Sequence, residues 1–84
     1  MMTVDSRILP WHEGRFQGVM LRRRPWRASP DNDHDHCAFC WEKFAEYDGC
    51  LHEGYCTEDG TDWICEICFN DFRDRFGWRV KADE

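Results

Sequence analysis

No stretch of 18 consecutive apolar residues occurs in the 84-residue chain, which excludes a membrane-spanning helix. Residues Met1 to Met20 are interrupted by Asp5, Arg7, His12, Glu13 and Arg15, so they lack the apolar centre of a secretory signal. The expectation is a cytoplasmic protein in a reducing compartment. Internal repeats are missing, and so is the βαβ alternation that would house a single redox C-x-x-C. No Ser/His/Asp set, phosphate-cradling Gly-rich loop or pair of opposed carboxylates stands out. His12-Glu13 and His52-Glu53 are sequence neighbours and would point to opposite faces of a strand. The chain is therefore expected not to be an enzyme.

What is present is aromatic and sulfur-rich. Five Trp, six Phe and two Tyr provide large apolar areas, and six Cys accompany them. A chain of this length makes one small domain, and such domains need a staple. The cysteines supply one. Cys37-Ala-Phe-Cys40 and Cys65-Glu-Ile-Cys68 are two C-x-x-C units with 24 residues between them. Each unit aims two thiolates at a point, and four thiolates complete a tetrahedral metal site. One structural Zn2+ is expected on Cys37, Cys40, Cys65 and Cys68. Iron suits the same cage, but the glycine that follows each knuckle in rubredoxin-like proteins is replaced by Trp41 and Phe69. Cys50 or Cys56, or a histidine such as His34, His36 or His52, stands as an alternative ligand. Cys56 reads more simply as a buried strand residue and Cys50 as a thiol near a turn.

Charge divides the chain. Residues 1–30 hold six Arg against Asp5 and Glu13, a net +4, whereas residues 31–84 hold five basic and fifteen acidic residues, a net −10. The expected organisation is one domain, with a basic N-terminal arm (1–30) packing on an acidic zinc-binding module (31–84). Within the arm, residues 15–22 read as a strand, bounded by Gly14 and Pro25. Residues 28–36 read as a polar loop. Asp31, Asp33, Asp35 and Glu42 imitate the spacing of an EF-hand loop. The glycine required at its sixth position is His36, so a solvated acidic linker is the better reading. Trp41, Phe44 and Tyr47 recur at helical steps and predict one or two helical turns.

Asp59-Gly60 between two β-prone runs predicts a hairpin with a type I′ turn, in the register Cys56 opposite Trp63 and Tyr55 opposite Ile64. A helix is expected from Cys65–Glu66 to Phe76. Phe69, Phe72 and Phe76 would form its apolar stripe, and Asp71 and Arg75 a surface pair. Gly77 would close it as C′, with Trp78 folding back on Phe72.

Knuckle, hairpin, then a second C-x-x-C opening a helix: over residues 37–78 this order resembles the treble-clef and zinc-ribbon-like zinc domains. The resemblance implies a small α+β zinc-stapled fold, with the first ligand pair on the knuckle and the second in the first turn of the helix. It transfers no function. The segments Leu51–Cys56 and Trp63–Phe72 are also similar to small uncharacterised bacterial proteins. His-Asn-His endonucleases use the treble-clef scaffold, with a general-base His on the first hairpin strand and a metal-holding His on the helix. His52 stands near the first place and Asn70 lies in the helix. Residues 66–76 contain no His, so a phosphate-side metal has no anchor.

A protein-interaction role is the expectation, as an adaptor or inhibitor of a basic partner that complements the acidic module. The alternative is a zinc-finger-like nucleic-acid binder. It would use Arg22, Arg23, Arg24 and Arg27 against phosphate and Trp26 against bases. Internal packing of these five residues against the acidic module ranks first, followed by a contact surface for a protein partner and then by nucleic acid.

Overall fold

A computed structural model describes residues 6–81, so the outermost residues of the charge division, 1–5 and 82–84, lie outside it. The chain runs α1 (Pro10–Phe16), β1 (Met20–Pro25), β2 (His34–His36), β3 (Lys43–Ala45), β4 (Glu53–Thr57), β5 (Trp63–Ile64), α2 (Glu66–Phe76) and β6 (Arg79–Lys81). One mixed sheet has the order β5-β4-β1-β6, and β2 and β3 form a separate antiparallel pair. The architecture is small α+β, with the four C-x-x-C cysteines gathered beside β5. None of the described helices is long and apolar enough to cross a membrane.

The N-terminal segment differs from its sequence reading. Pro10 occupies the first helical position, where its fixed φ is pre-organised and its missing N–H is no loss. Residues up to Phe16 are therefore helical, and the strand begins at Met20. β1 then pairs antiparallel with β4 and parallel with β6, so the basic segment is an inner strand of the sheet. His12 and Glu13 sit on a helix, not a strand. His12 is fully buried, with Nδ1 accepting from the Leu9 N–H (2.8 Å) and Nε2–H donating to the Ala38 carbonyl (2.9 Å). Those partners place the ring proton on Nε2.

The β4–β5 register is Tyr55 opposite Ile64 and Cys56 opposite Trp63, as the sequence indicates. The turn is not type I′. Gly60 alone takes positive φ (75°), and Asp59 uses its carboxylate instead, accepting from the Thr57 hydroxyl (2.6 Å) and the Thr61 N–H (3.0 Å). These donors hold the Asp59 carboxyl below the usual carboxylate range, the Thr57 hydroxyl contributing most. Residues 41–47 are not helical: Lys43–Ala45 pairs as a strand with His34–His36, which lie within the segment read as a loop. Phe44 from β3 packs against Trp63 at 5.3 Å. It also lies so close to Gly54 that an added Cβ would meet its ring at 2.7 Å, which is why β4 carries a glycine there.

α2 matches its expected limits, and Gly77 closes it in the left-handed region (φ 65°) with its N–H donating to the Arg73 carbonyl. The ring of Trp78 stacks on Phe76 (5.3 Å) and Phe69 (5.9 Å), not on Phe72. Its indole N–H donates to the Phe16 carbonyl at 2.8 Å, tying α1 to the end of α2. Asp71 does not pair with Arg75. It pairs with Arg7 (3.0 Å), and Arg75 lies 3.9 Å from Glu13. Tertiary partners outbid the i,i+4 neighbour, whose pairing is worth only about 0.3–0.5 kcal/mol. Phe39, from the first C-x-x-C, is the hub of the core, within 6 Å of His12, Phe16, Phe72, Phe76 and Trp78.

Candidate metal centre

Two different backbone devices bring the sulfurs together. The first is an irregular knuckle after β2, in which the Trp41 N–H donates to the Cys37 carbonyl (3.1 Å) and Trp41 takes φ 68°. Left-handed backbone suits glycine. A side chain there costs on the order of 1–2 kcal/mol, and Trp41 is the only described non-glycine residue that adopts it. The second is the N-terminus of α2, where Cys65 is the cap residue and its sulfur accepts from the Cys68 N–H at 3.4 Å. Two backbone bonds hold the knuckle in place. The Cys37 N–H donates to the Glu42 carbonyl, and the Ala38 N–H donates to the Trp63 carbonyl (2.8 Å each), which docks the knuckle on β5.

The sulfurs of Cys37, Cys40, Cys65 and Cys68 all lie within 4.8 Å of one another. Cys40 Sγ and Cys65 Sγ are 3.6 Å apart, far from a disulfide bond, and all six cysteines are free. A tetrahedral ion with sulfur ligands at about 2.3 Å would set its ligands about 3.8 Å apart. The donor set also has the outer hydrogen bonds that a thiolate cage requires. Cys37 Sγ accepts from the N–H groups of Phe39 (3.5 Å) and Cys65 (3.4 Å). Arg7 reaches the site from the N-terminal segment: its guanidinium donates to Cys68 Sγ (3.5 Å) and lies 4.5 Å above the Phe72 ring. Four cysteines with these partners fit a metal ion.

Protonation follows the same geometry. The Cys65 and Cys68 thiols donate to Cys37 and, with nearby N–H groups, hold it as a thiolate far below the ordinary thiol range. Their hydrogen bonds to Cys37, aided by burial, push Cys65 up to about 12 and Cys68 up as well. An entering divalent cation replaces those protons.

The alternative ligands lie elsewhere. Cys56 is buried on β4 opposite Trp63, and Cys50 follows the turn at Tyr47. His52 Nε2 bonds the Tyr47 carbonyl (2.9 Å), His34 Nδ1 bonds Asp33 (2.7 Å), and His36 faces the Trp41 ring at 5.3 Å. Among the described residues no other group of three or more His, Cys, Asp or Glu converges as a metal site. The acidic run is used internally. Asp33 accepts from Tyr47 (3.0 Å), and Asp35 accepts from the Trp26 indole (2.9 Å) and the Asn32 amide (2.9 Å).

The arginine-rich strand is distributed over several environments. Arg23 pairs with Glu53 (3.2 Å) and Glu66 (3.7 Å) and lies over the Tyr55 ring. Arg22 and Arg24 also have partners in the fold, and Arg27 is exposed. Trp26 is only 4% exposed, a core residue whose ring is not presented for base stacking. Sequence reasoning missed Arg7 and His12, which act at long range across the fold and carry no local spacing signal. Comparisons with protein-family models, with curated proteins and with solved structures found no match to this chain.

Proposed function

We propose that this chain is a non-catalytic, treble-clef-like protein-interaction module in which one Zn2+ on Cys37, Cys40, Cys65 and Cys68 is structural, acting as an adaptor or inhibitor of a basic partner in the cytoplasm. The observation that carries the reading is the closed donor set. Four sulfurs converge, three of them on buried residues, so an ion held by all four keeps no position for water or substrate. The placement of the two ligand pairs, on a knuckle and in the first turn of α2, supports the treble-clef likeness. Zinc is preferred because it takes tetrahedral thiolates without redox chemistry.

The partner's sign comes from charge. Residues 31–84 carry a net −10, and a dianionic zinc tetrathiolate adds to it. Nucleic-acid binding through Arg22, Arg23, Arg24, Trp26 and Arg27 is less well supported. Trp26 is committed to the core, and Arg23 is committed to carboxylates.

The test has two readouts. Metal analysis of the purified protein should give one zinc per chain; iron would replace zinc in the reading, and no metal would remove the staple. Affinity purification from the native host should then enrich a basic protein whose capture disappears with Cys65→Ser. Recovery of nucleic acid through a salt-sensitive contact, abolished by joint Arg22, Arg23 and Arg24→Ala, would replace the proposal with its alternative.

A further inference from the structure

A groove of about 320 Å³ opens beside the metal knuckle, walled by Trp11, Trp41, Trp63, His36, Asp35 and Asp62. Trp63 forms its floor and is nearly buried, whereas Trp11 is 51% exposed and Trp41 is 70% exposed. The exposure of Trp41 is hard to explain by folding. Its backbone is strained, its ring touches only the His36 ring among aromatic neighbours, and most of its indole faces water. A glycine would relax that backbone, so the indole contributes something other than stability.

The chemistry of the walls selects a cation. Indole faces attract positive charge through their quadrupole, and guanidinium best among side chains because it also stacks. Asp35 turns its carboxylate to the Trp26 indole and the Asn32 amide, so the negative field at the groove comes from the acidic module as a whole, a net −10 over residues 31–84. Asp62 already receives a guanidinium: Arg15 Nε donates to it at 2.7 Å from a half-exposed side chain. Phosphate is disfavoured by the net negative charge of the surrounding module. We infer that this groove is a docking site for an arginine side chain of a basic polypeptide, with Trp41 and Trp11 as the stacking faces and the net negative charge of residues 31–84 as the charge complement. The inference rests on the interaction-module reading and names the part of the surface that performs it.

The test uses the zinc-loaded full chain titrated with a blocked oligoarginine peptide, with oligoglutamate and oligothymidylate as comparison probes. Binding is followed by tryptophan fluorescence and by the indole N–H signals in heteronuclear NMR. Oligoarginine should move the Trp11 and Trp41 indole signals. Trp41→Gly should weaken binding by about tenfold or more while zinc content is unchanged and Tm is unchanged or higher. Asp48→Asn, which removes one acidic charge outside the groove, should leave the affinity within about twofold, as expected for a screened surface charge.

Equal binding by wild type and Trp41→Gly, unmoved indole signals, or preference for oligothymidylate would each overturn the inference. So would self-association through the groove, or a fall in Tm and zinc content in Trp41→Gly. A basic host partner still captured by Trp41→Gly would sink the groove and spare the interaction module. Oligoarginine binding in the groove without any basic host partner would do the reverse.

Discussion

The two C-x-x-C units share a spacing and little else. In the first, the residue before the second cysteine is Phe39, 4% exposed at the centre of the aromatic core; in the second it is Ile67, 69% exposed. The residues that follow are inverted. Trp41 is exposed on strained backbone, and Phe69 is buried on relaxed helix. Spacing determines where sulfurs point, because two thiolates and one ion leave few geometries. The backbone that carries the spacing decides which neighbour faces inwards. A knuckle turns its third residue under the fold, whereas a helix start directs its third residue away from the sheet.

The largest perturbation tests what the units have in common. Cys37→Ser and Cys68→Ser should each abolish cooperative unfolding in circular dichroism at 25 °C. A structural zinc contributes on the order of 10–16 kcal/mol, more than a domain of this size holds in reserve. Tolerance of either substitution would mean that one unit alone stabilises the fold. The same samples give a pH test. Because Cys65 and Cys68 are held protonated, zinc entering the metal-free protein at neutral pH should release at least two protons. Apparent affinity should therefore rise with pH. Calorimetry in buffers of different ionisation enthalpy counts those protons.

The next perturbation separates the units. Phe39→Ala should cost about 3–5 kcal/mol in urea unfolding of the zinc form, and Ile67→Ala should fall within about 0.5 kcal/mol of wild type. Similar losses at both positions would contradict the contrast in burial. Arg7→Met addresses only the second unit. It removes the guanidinium from Cys68 and should weaken zinc binding about tenfold in a chelator competition. Smallest is Trp41→Gly, expected to raise unfolding stability by about 0.5–1 kcal/mol by relieving positive φ. Phe69→Gly, at the matching place in the second unit, should lower it by more than about 4 kcal/mol.

What could be read from the sequence follows the range of the responsible interactions. The convergence of the four C-x-x-C cysteines, the β4–β5 register and the limits of α2 depend on spacings within a few residues, and the structure shows each of them. The strand at Lys43–Ala45 was hidden because Trp41, Phe44 and Tyr47 mimic a helical period. Its partner, His34–His36, lies in a run of Asp and His with no β signature. Asp71 was matched to Arg75 by an i,i+4 rule, but Arg7 reaches it from 64 positions away. Arg7 and His12 reach the four cysteines and their knuckle only because the N-terminal segment folds across it. No local pattern encodes that approach.

The parallel pairing of β1 with β6 has a kinetic consequence. Strand β1 meets β6 only after the chain between them, residues 26–78, has been gathered. An ion bridging Cys37 and Cys68 shortens that path to two tethers, residues 26–36 and 69–78, and lowers the closure entropy by about 1 kcal/mol. Metal capture by these cysteines would thereby favour completion of the sheet. A chain that meets zinc late would hold β1 and β6 apart, with an unpaired strand edge exposed for as long as it waits.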